Sequence, residues 1–164
     1  MMNARAAVIA DVPAITAIYN EGIADRITTF ETEARTADQV EAWLGRRYPV
    51  LVVEDGNGTV LAWASTSSYR ERACYAGIAE FSVYVGRAHR GRGAGRAALL
   101  ALKDAAAAAG FWKLLSRVFV ENEPSRALCR STGFREVGTY AKHGKLDGAW
   151  RDVVIVECLI GEAS

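Results

Sequence analysis

Apolar positions along the chain switch between a period of two and a period near 3.6, and the switches mark out the elements. Ala4 to Val8 is a short apolar run that reads as a strand. Asp11 and Pro13 give a helix-start signature, and Ile15, Ile18, Tyr19 and Ile23 follow at helical spacing. Thr28-Thr29-Phe30 breaks that pattern with β-branched residues and reads as a loop. A second helix is expected from Thr36, as its cap, through Val40, Trp43 and Leu44 to Tyr48, with Pro49 ending it. Val50 to Glu54 and Thr59 to Thr66 are β-rich runs around Asp55-Gly56-Asn57-Gly58, whose residue types tolerate positive φ, so they read as a hairpin.

Tyr75 to Val85 alternates as a longer strand, with Phe81, Val83 and Val85 on one face and Glu80, Ser82 and Tyr84 on the other. Gly91-Arg92-Gly93-Ala94-Gly95 follows as a glycine turn, and the Ala-rich run Ala97 to Ala109 reads as a helix stopped by Gly110. Leu114 to Val120 is the next strand, and Asn122 with Pro124 opens a helix that Gly133 closes. Phe134 to Tyr140 and Trp150 to Ile160 read as strands around a polar turn, Lys142 to Gly148. The order β-α-α-β-β-β-α-β-α-β-β predicts an α/β class fold, a mixed sheet with helices on both faces, in one domain over residues 1–164.

Composition narrows the function. The 164 residues carry 20 basic and 19 acidic side chains for a formal charge of +1, so net charge gives no argument for a nucleic-acid or membrane partner. The basic residues are clustered instead, with Arg87, Arg90, Arg92 and Arg96 inside ten positions. Cys74, Cys129 and Cys158 are odd in number and far apart, which fits neither a disulfide framework nor a zinc site and suits a reducing cytoplasm. No His and carboxylate cluster has ligand spacing, so no metal is expected.

A glycine turn between strand and helix presents successive backbone N–H groups at the positive end of the helix dipole and is a ready anion site. Gly91, Gly93 and Gly95 remove the Cβ atoms that would keep a diphosphate away, and Arg90, Arg92 and Arg96 supply charge. A solvated tight turn is the plainer reading of the same residues. A Walker A loop would need a Lys after the glycines. A dinucleotide fingerprint would need Gly where Arg96 stands.

Arg90-Gly91-Arg92-Gly93-Ala94-Gly95 resembles the Q/R-x-x-G-x-G/A pyrophosphate loop of the GNAT (GCN5-related) N-acetyltransferases. Asn122-Glu123-Pro124-Ser125, followed by Leu128, Gly133 and Phe134, is similar to that family's N-x-x-S...G-F segment. Ala17-Ile18-Tyr19-Asn20, Arg47-Tyr48-Pro49 and Ala79 to Val85 are similar to its phosphinothricin and arsinothricin acetyltransferase branch, and the ending His143 to Asp152 resembles the arsinothricin-resistance members. The resemblance spans nearly the whole chain. It implies the GNAT acyl-CoA N-acyltransferase fold, acetyl-CoA as co-substrate, a homodimer, and acetylation of the α-amino group of a phosphinothricin-like or arsinothricin-like amino acid. Methionine sulfone or sulfoximine, another small amine, or a CoA-binding sensor without turnover are the alternative readings.

The resemblance also implies roles. Arg90 to Arg96 would grip coenzyme A, Asn122 and Ser125 would flank its pantetheine arm, and the strand Val83-Tyr84-Val85 would hold the thioester, with a backbone N–H of Val83 or Val85 facing the oxyanion. An acceptor α-amine is mostly protonated at pH 7 and needs a base. Glu80, mid-strand between apolar neighbours, matches the family's general base; its structural reading is a carboxylate paired to an Arg. Arg72, Tyr75 and Phe30 match substrate-binding positions; relatives carry a functional His just before the segment Gly148 to Asp152, where Asp147 stands here, and His143 lies four residues earlier. The position seven residues beyond Asn122, a Tyr in many relatives and a general acid there, is Cys129.

Overall fold

The structure, a computed structural model, describes residues 1–164. Seven strands form one sheet in the order β1-β2-β3-β4-β5-β7-β6. They are β1 (Asn3–Ala6), β2 (Val50–Glu54), β3 (Val60–Ser68), β4 (Ile78–Val85), β5 (Lys113–Phe119), β6 (Arg135–Leu146) and β7 (Ala149–Leu159). The β4–β5 junction is parallel and every other pairing is antiparallel. The helices are α1 (Val12–Asp25), α2 (Ala37–Glu41), α3 (Ala94–Ala108) and α4 (Glu123–Ser131).

Strand alternation sorts them onto the two faces. Leu51 and Val53 of β2 join Ala98, Leu99 and Leu102 of α3 and Cys129 of α4 in the main core. Val50 and Val52, with the opposite parity, pack with Val12, Ile15 and Ile18 of α1 and with Trp63. β4 splits as its pattern predicts: Ala79 and Phe81 are buried in the α3 side core, and Glu80, Ser82 and Tyr84 face the α1 side.

Several boundaries differ from the sequence expectation, among them the start of α3 at Ala94 instead of Ala97 and the end of β3 at Ser68 instead of Thr66. α2 keeps its Thr36 cap, whose hydroxyl accepts from Gln39 N at 3.3 Å, but ends at Glu41; Trp43 turns instead into an aromatic cluster with Tyr19 and Trp63. β1 ends at Ala6, before Asp11 accepts the Val8 amide at 2.8 Å. Tyr75 lies in a 3-10 turn rather than in β4, which starts at Ile78 just past Gly77, where only a glycine leaves room for the Trp112 ring. β6 runs to Leu146, and the turn tightens to Asp147 (φ 50°) and Gly148 (φ 81°), the residue pair that a two-residue hairpin favours. The register between β6 and β7 shifts between Tyr140 and Gly144, where Lys142 has φ 48°.

Candidate active site

β4 and β5 stop pairing halfway along. Their register runs Ile78 to Lys113, Ala79 to Leu114 and Glu80 to Leu115, and β4 then continues unpaired on that side to Val85. Gly86 donates to Leu61 O of β3 at 2.8 Å, so backbone alternation turns the amides of Val85 and Val83 toward the opening. Ser116 bridges the root of the fork by donating to Phe81 O at 2.9 Å.

Three cavities follow one another across this fork. One of about 370 Å³ is lined by Val83, Tyr84, Val85, Arg90, Gly91, Asn122 and Ser125, joining the strand, the glycine loop and the start of α4. A small one of about 80 Å³ lies in the fork itself, with Val83, Ser116, Asn122 and Cys129 in its wall. The third, about 480 Å³, holds Glu80, Arg117, Phe30, His143, Tyr19, Ser67 and Ser82. Thr28 and Tyr84 line all three. Burial pushes the Tyr84 phenol up to about 12, which keeps it a hydrogen-bond donor.

The glycine loop has the geometry of an anion cradle. Gly91 (φ 77°) and Gly93 (φ 86°) adopt left-handed backbone with no atom within 4 Å of where a Cβ would stand. Gly93 caps α3, whose first internal bond is Ala97 N to Gly93 O, so the amides before Ala97 are free for a ligand. Gly95 is needed for contact: a Cβ there would meet Val85 Cγ2 at 3.1 Å and Leu128 Cδ2 at 3.3 Å. Asn122 is buried and caps α4, its Oδ1 accepting from Ser125 N at 3.3 Å. The free amides and open space at Gly91 and Gly93 are what an anion such as a diphosphate requires, and the adjoining cavity extends past Asn122 and Ser125.

The arginines of the loop are partly committed elsewhere. Arg90 Nη2 is 2.9 Å from Asp25 Oδ2, and Arg87 Nη2 is 2.6 Å from the other oxygen. Hydrogen bonds from Arg90 and then Arg87 hold the Asp25 carboxyl below the usual carboxylate range. Arg96 donates to Ser131 O at 2.8 Å, capping α4 rather than pointing along the loop, and Arg92 lies 3.4 Å from His89 Nδ1.

Glu80 is paired as its structural reading anticipated. Both carboxylate oxygens accept from Arg117 Nη2, at 2.8 and 2.9 Å. Arg117 was not singled out in the sequence, although its alternation with buried Leu114 and Val118 puts it on the Glu80 face. Phe30 enters the same cavity from the loop after α1, its ring 4.8 Å from Phe119. His143 enters from the irregular stretch of β6, with its ring 4.9 Å from Tyr140. Bulged backbone re-aims side chains in this way.

Arg72 and Tyr75 are not brought to this cavity. Tyr75 packs edge-on against Tyr69 and Arg72 lies over the Tyr75 ring, so the pair belongs to the 3-10 turn before β4. Tyr69 and Arg70 instead line a side cavity of about 220 Å³ that shares Glu80 and Arg117. Cys129 is core, 4% exposed, and burial pushes its thiol up to about 11. No cluster of side chains has the makings of a metal site, and no helix is long and apolar enough to cross a membrane.

Comparison with known proteins points the same way as the geometry. Residues 15–134 match the Acetyltransferase (GNAT) family. An L-methionine sulfoximine/L-methionine sulfone acetyltransferase of Pseudomonas aeruginosa is 34% identical over 93% of this chain and 91% of its own. A phosphinothricin N-acetyltransferase of Streptomyces coelicolor is 33% identical over 93% of each chain. The crystal structure of a GNAT superfamily phosphinothricin acetyltransferase from Sinorhizobium meliloti, in complex with acetyl-CoA, superposes with a TM-score of 0.91 at 30% identity, over 99% of this chain and 90% of that one.

Proposed function

The chain belongs to the Acetyltransferase (GNAT) family and uses acetyl-CoA, and from that premise we propose that it acetylates the α-amino group of a phosphinothricin-like or arsinothricin-like amino acid. One observation carries the reading. Glu80 is the last residue of β4 to pair with β5, so its carboxylate lines the acceptor cavity while Val83 and Val85, on the unpaired stretch just beyond it, line the adjoining cavities of the fork.

Acetyl-CoA supplies an activated acetyl group as a thioester. Gly91, Gly93 and the free amides at the start of α3 would take its diphosphate, with Arg90 and Arg92 at the rim, and Asn122 and Ser125 would line its arm. Glu80 takes a proton from the acceptor ammonium and passes it to solvent, the neutral amine attacks the thioester carbonyl to form the C–N bond, the nitrogen gives up its second proton to Glu80, and the C–S bond breaks. The amide of Val83 or Val85 stabilises the charge that develops on the carbonyl oxygen. Cys129, with its thiol raised to about 11, is the weaker acid beside an ordinary thiol of about 8.5, so protonating a departing thiolate from it is uphill. The sulfur therefore leaves as thiolate and takes its proton from solvent.

In the acceptor cavity, the hydroxyls of Ser67, Ser82 and Thr28 suit an oxo head group, Phe30 suits an apolar methylene chain, and His143 lines the same cavity. A methionine sulfone or sulfoximine acceptor is the second reading, favoured because a relative named for that activity matches at 34% identity beside 33% for a phosphinothricin N-acetyltransferase. The exposed Val137, Tyr140 and Trp150 of β6 and β7 are surface that a second copy would cover in the homodimer we propose. The test is thiol release from acetyl-CoA with phosphinothricin, arsinothricin, methionine sulfoximine, glutamate and a short peptide. Turnover of the first two above the rest supports the reading, and turnover of the peptide alone overturns it.

A further inference from the structure

The base and its guanidinium partner form an ion pair inside the site, not a strut outside it. Glu80 and Arg117 both line the 480 Å³ cavity and both line the 220 Å³ cavity beside it, so the pair is the wall between the two. Arg117 spends one nitrogen, Nη2, on both Glu80 oxygens. Its Nη1 and Nε donors have no partner within the chain, and its side chain is 43% exposed. In the side cavity a second cation, Arg70, stands near the pair, with the Tyr69 and Tyr140 hydroxyl-bearing rings around it.

This arrangement presents an acceptor with a plus and a minus charge already separated by hydrogen-bond distance. A base held by a cation must loosen that pairing before it takes a proton. A plain amine brings only positive charge, so it would draw Glu80 away and leave Arg117 without an anion in a half-buried site. A peptide N-terminus carries a neutral amide where the carboxylate would be and has the same defect. A free α-amino acid brings both charges on adjacent atoms, so one ion pair becomes two.

We propose that Arg117 is the carboxylate receptor of this site, and that a zwitterionic α-amino acid binds by exchanging partners with the Glu80–Arg117 pair, its ammonium passing to Glu80 and its carboxylate to Arg117. This rests on the reading of Glu80 as the base and adds the substrate class that the base can serve. Free α-amino acids are accepted, and amines without an adjacent carboxylate are refused. Arg70 stands ready for a second anionic group at the far end of the acceptor.

The experiment compares kcat/KM for phosphinothricin and for its α-carboxamide in the wild type, Arg117→Gln and Arg117→Lys, with acetyl-CoA affinity measured in each. The wild type is expected to prefer the acid on the order of 100-fold, the scale for a charged partner left unpaired. Arg117→Gln should bring the two within about threefold, mostly through a higher KM for the acid, with acetyl-CoA affinity unchanged. Arg117→Lys, which keeps the charge and loses the fork, should retain part of the preference. Equal use of acid and amide by the wild type, or a preference that survives in Arg117→Gln, overturns the exchange and leaves the acetyltransferase reading standing. Should Arg117→Gln not fold, the wild-type ratio and Arg117→Lys still decide. Turnover of neither acceptor, with acetyl-CoA bound, overturns the exchange and the amino-acid acceptor together.

Discussion

Glu80 and Leu115 are the last residues to pair across the parallel junction of β4 and β5. Beyond them the sheet opens, and that opening places a carboxylate, unpaired strand amides and the glycine cradle along a single path. The site is a consequence of where pairing ends, and its parts can be perturbed separately.

The two kinds of glycine in the loop should fail differently. Gly93→Ala puts a Cβ into open space but at φ 86°, a conformation that costs an L-residue about 1–2 kcal/mol. Its expected effect is an acetyl-CoA Kd raised about tenfold by calorimetry, the equivalent of about 1.4 kcal/mol. Gly95→Val instead drives β-branched bulk against Val85 and Leu128, whose side chains lie 3.1 and 3.3 Å from where a Cβ would stand, and should lower the melting temperature. Overpacking of about 1–3 kcal/mol sets that scale. A Gly93→Ala protein with wild-type affinity would refute the cradle.

Asp25 and Arg90 make a second separable pair. Arg90→Ala removes a cation from the diphosphate rim and should weaken acetyl-CoA binding while flattening its dependence on salt. Asp25→Asn frees Arg90 and removes a carboxylate near the phosphates, so it should tighten binding. If both substitutions weaken binding alike, Asp25 instead serves to position the guanidinium.

Cys129 carries a pH signature in stability. Its folded thiol is raised to about 11 by burial, against about 8.5 when unfolded, so the unfolded chain loses this proton first as pH rises. Stability is therefore lost from about pH 8.5 upward until the folded thiol also ionises, at up to about 1.4 kcal/mol per unit. Cys129→Ala should be less stable than the wild type at pH 7, and the gap in melting temperature should narrow by pH 10. A constant gap would contradict a buried neutral thiol.

Much of this was legible in the chain. Alternation over Glu80 to Val85 gave the two faces of β4 correctly, and Gly91 and Gly93 marked the turn before α3, which already includes Gly95. Glu80's partner was not legible, because alternation assigns a residue to a face but not to a neighbouring strand; only the β4–β5 pairing brings Arg117 to it. Lys142 to Gly148 read as turn because it is polar, yet the tight pair Asp147-Gly148 lies within it, and the residues before that pair extend β6. Alternation starts the strand at Tyr75, but β4 begins at Ile78, and Tyr75 and Arg72, whose substrate roles rest on resemblance alone, lie at the 3-10 turn before it.

Glu80→Gln tests directly whether the carboxylate at the end of the β4–β5 pairing is the general base. The measurement is the rate of N-acetylphosphinothricin formation at saturating acetyl-CoA, with acetyl-CoA affinity measured in parallel for both proteins. Loss of a general base predicts a fall in kcat of roughly 10²- to 10⁴-fold with affinity for acetyl-CoA unchanged. Turnover within a few-fold of the wild type would leave Glu80 as no more than the ion-pair partner of Arg117.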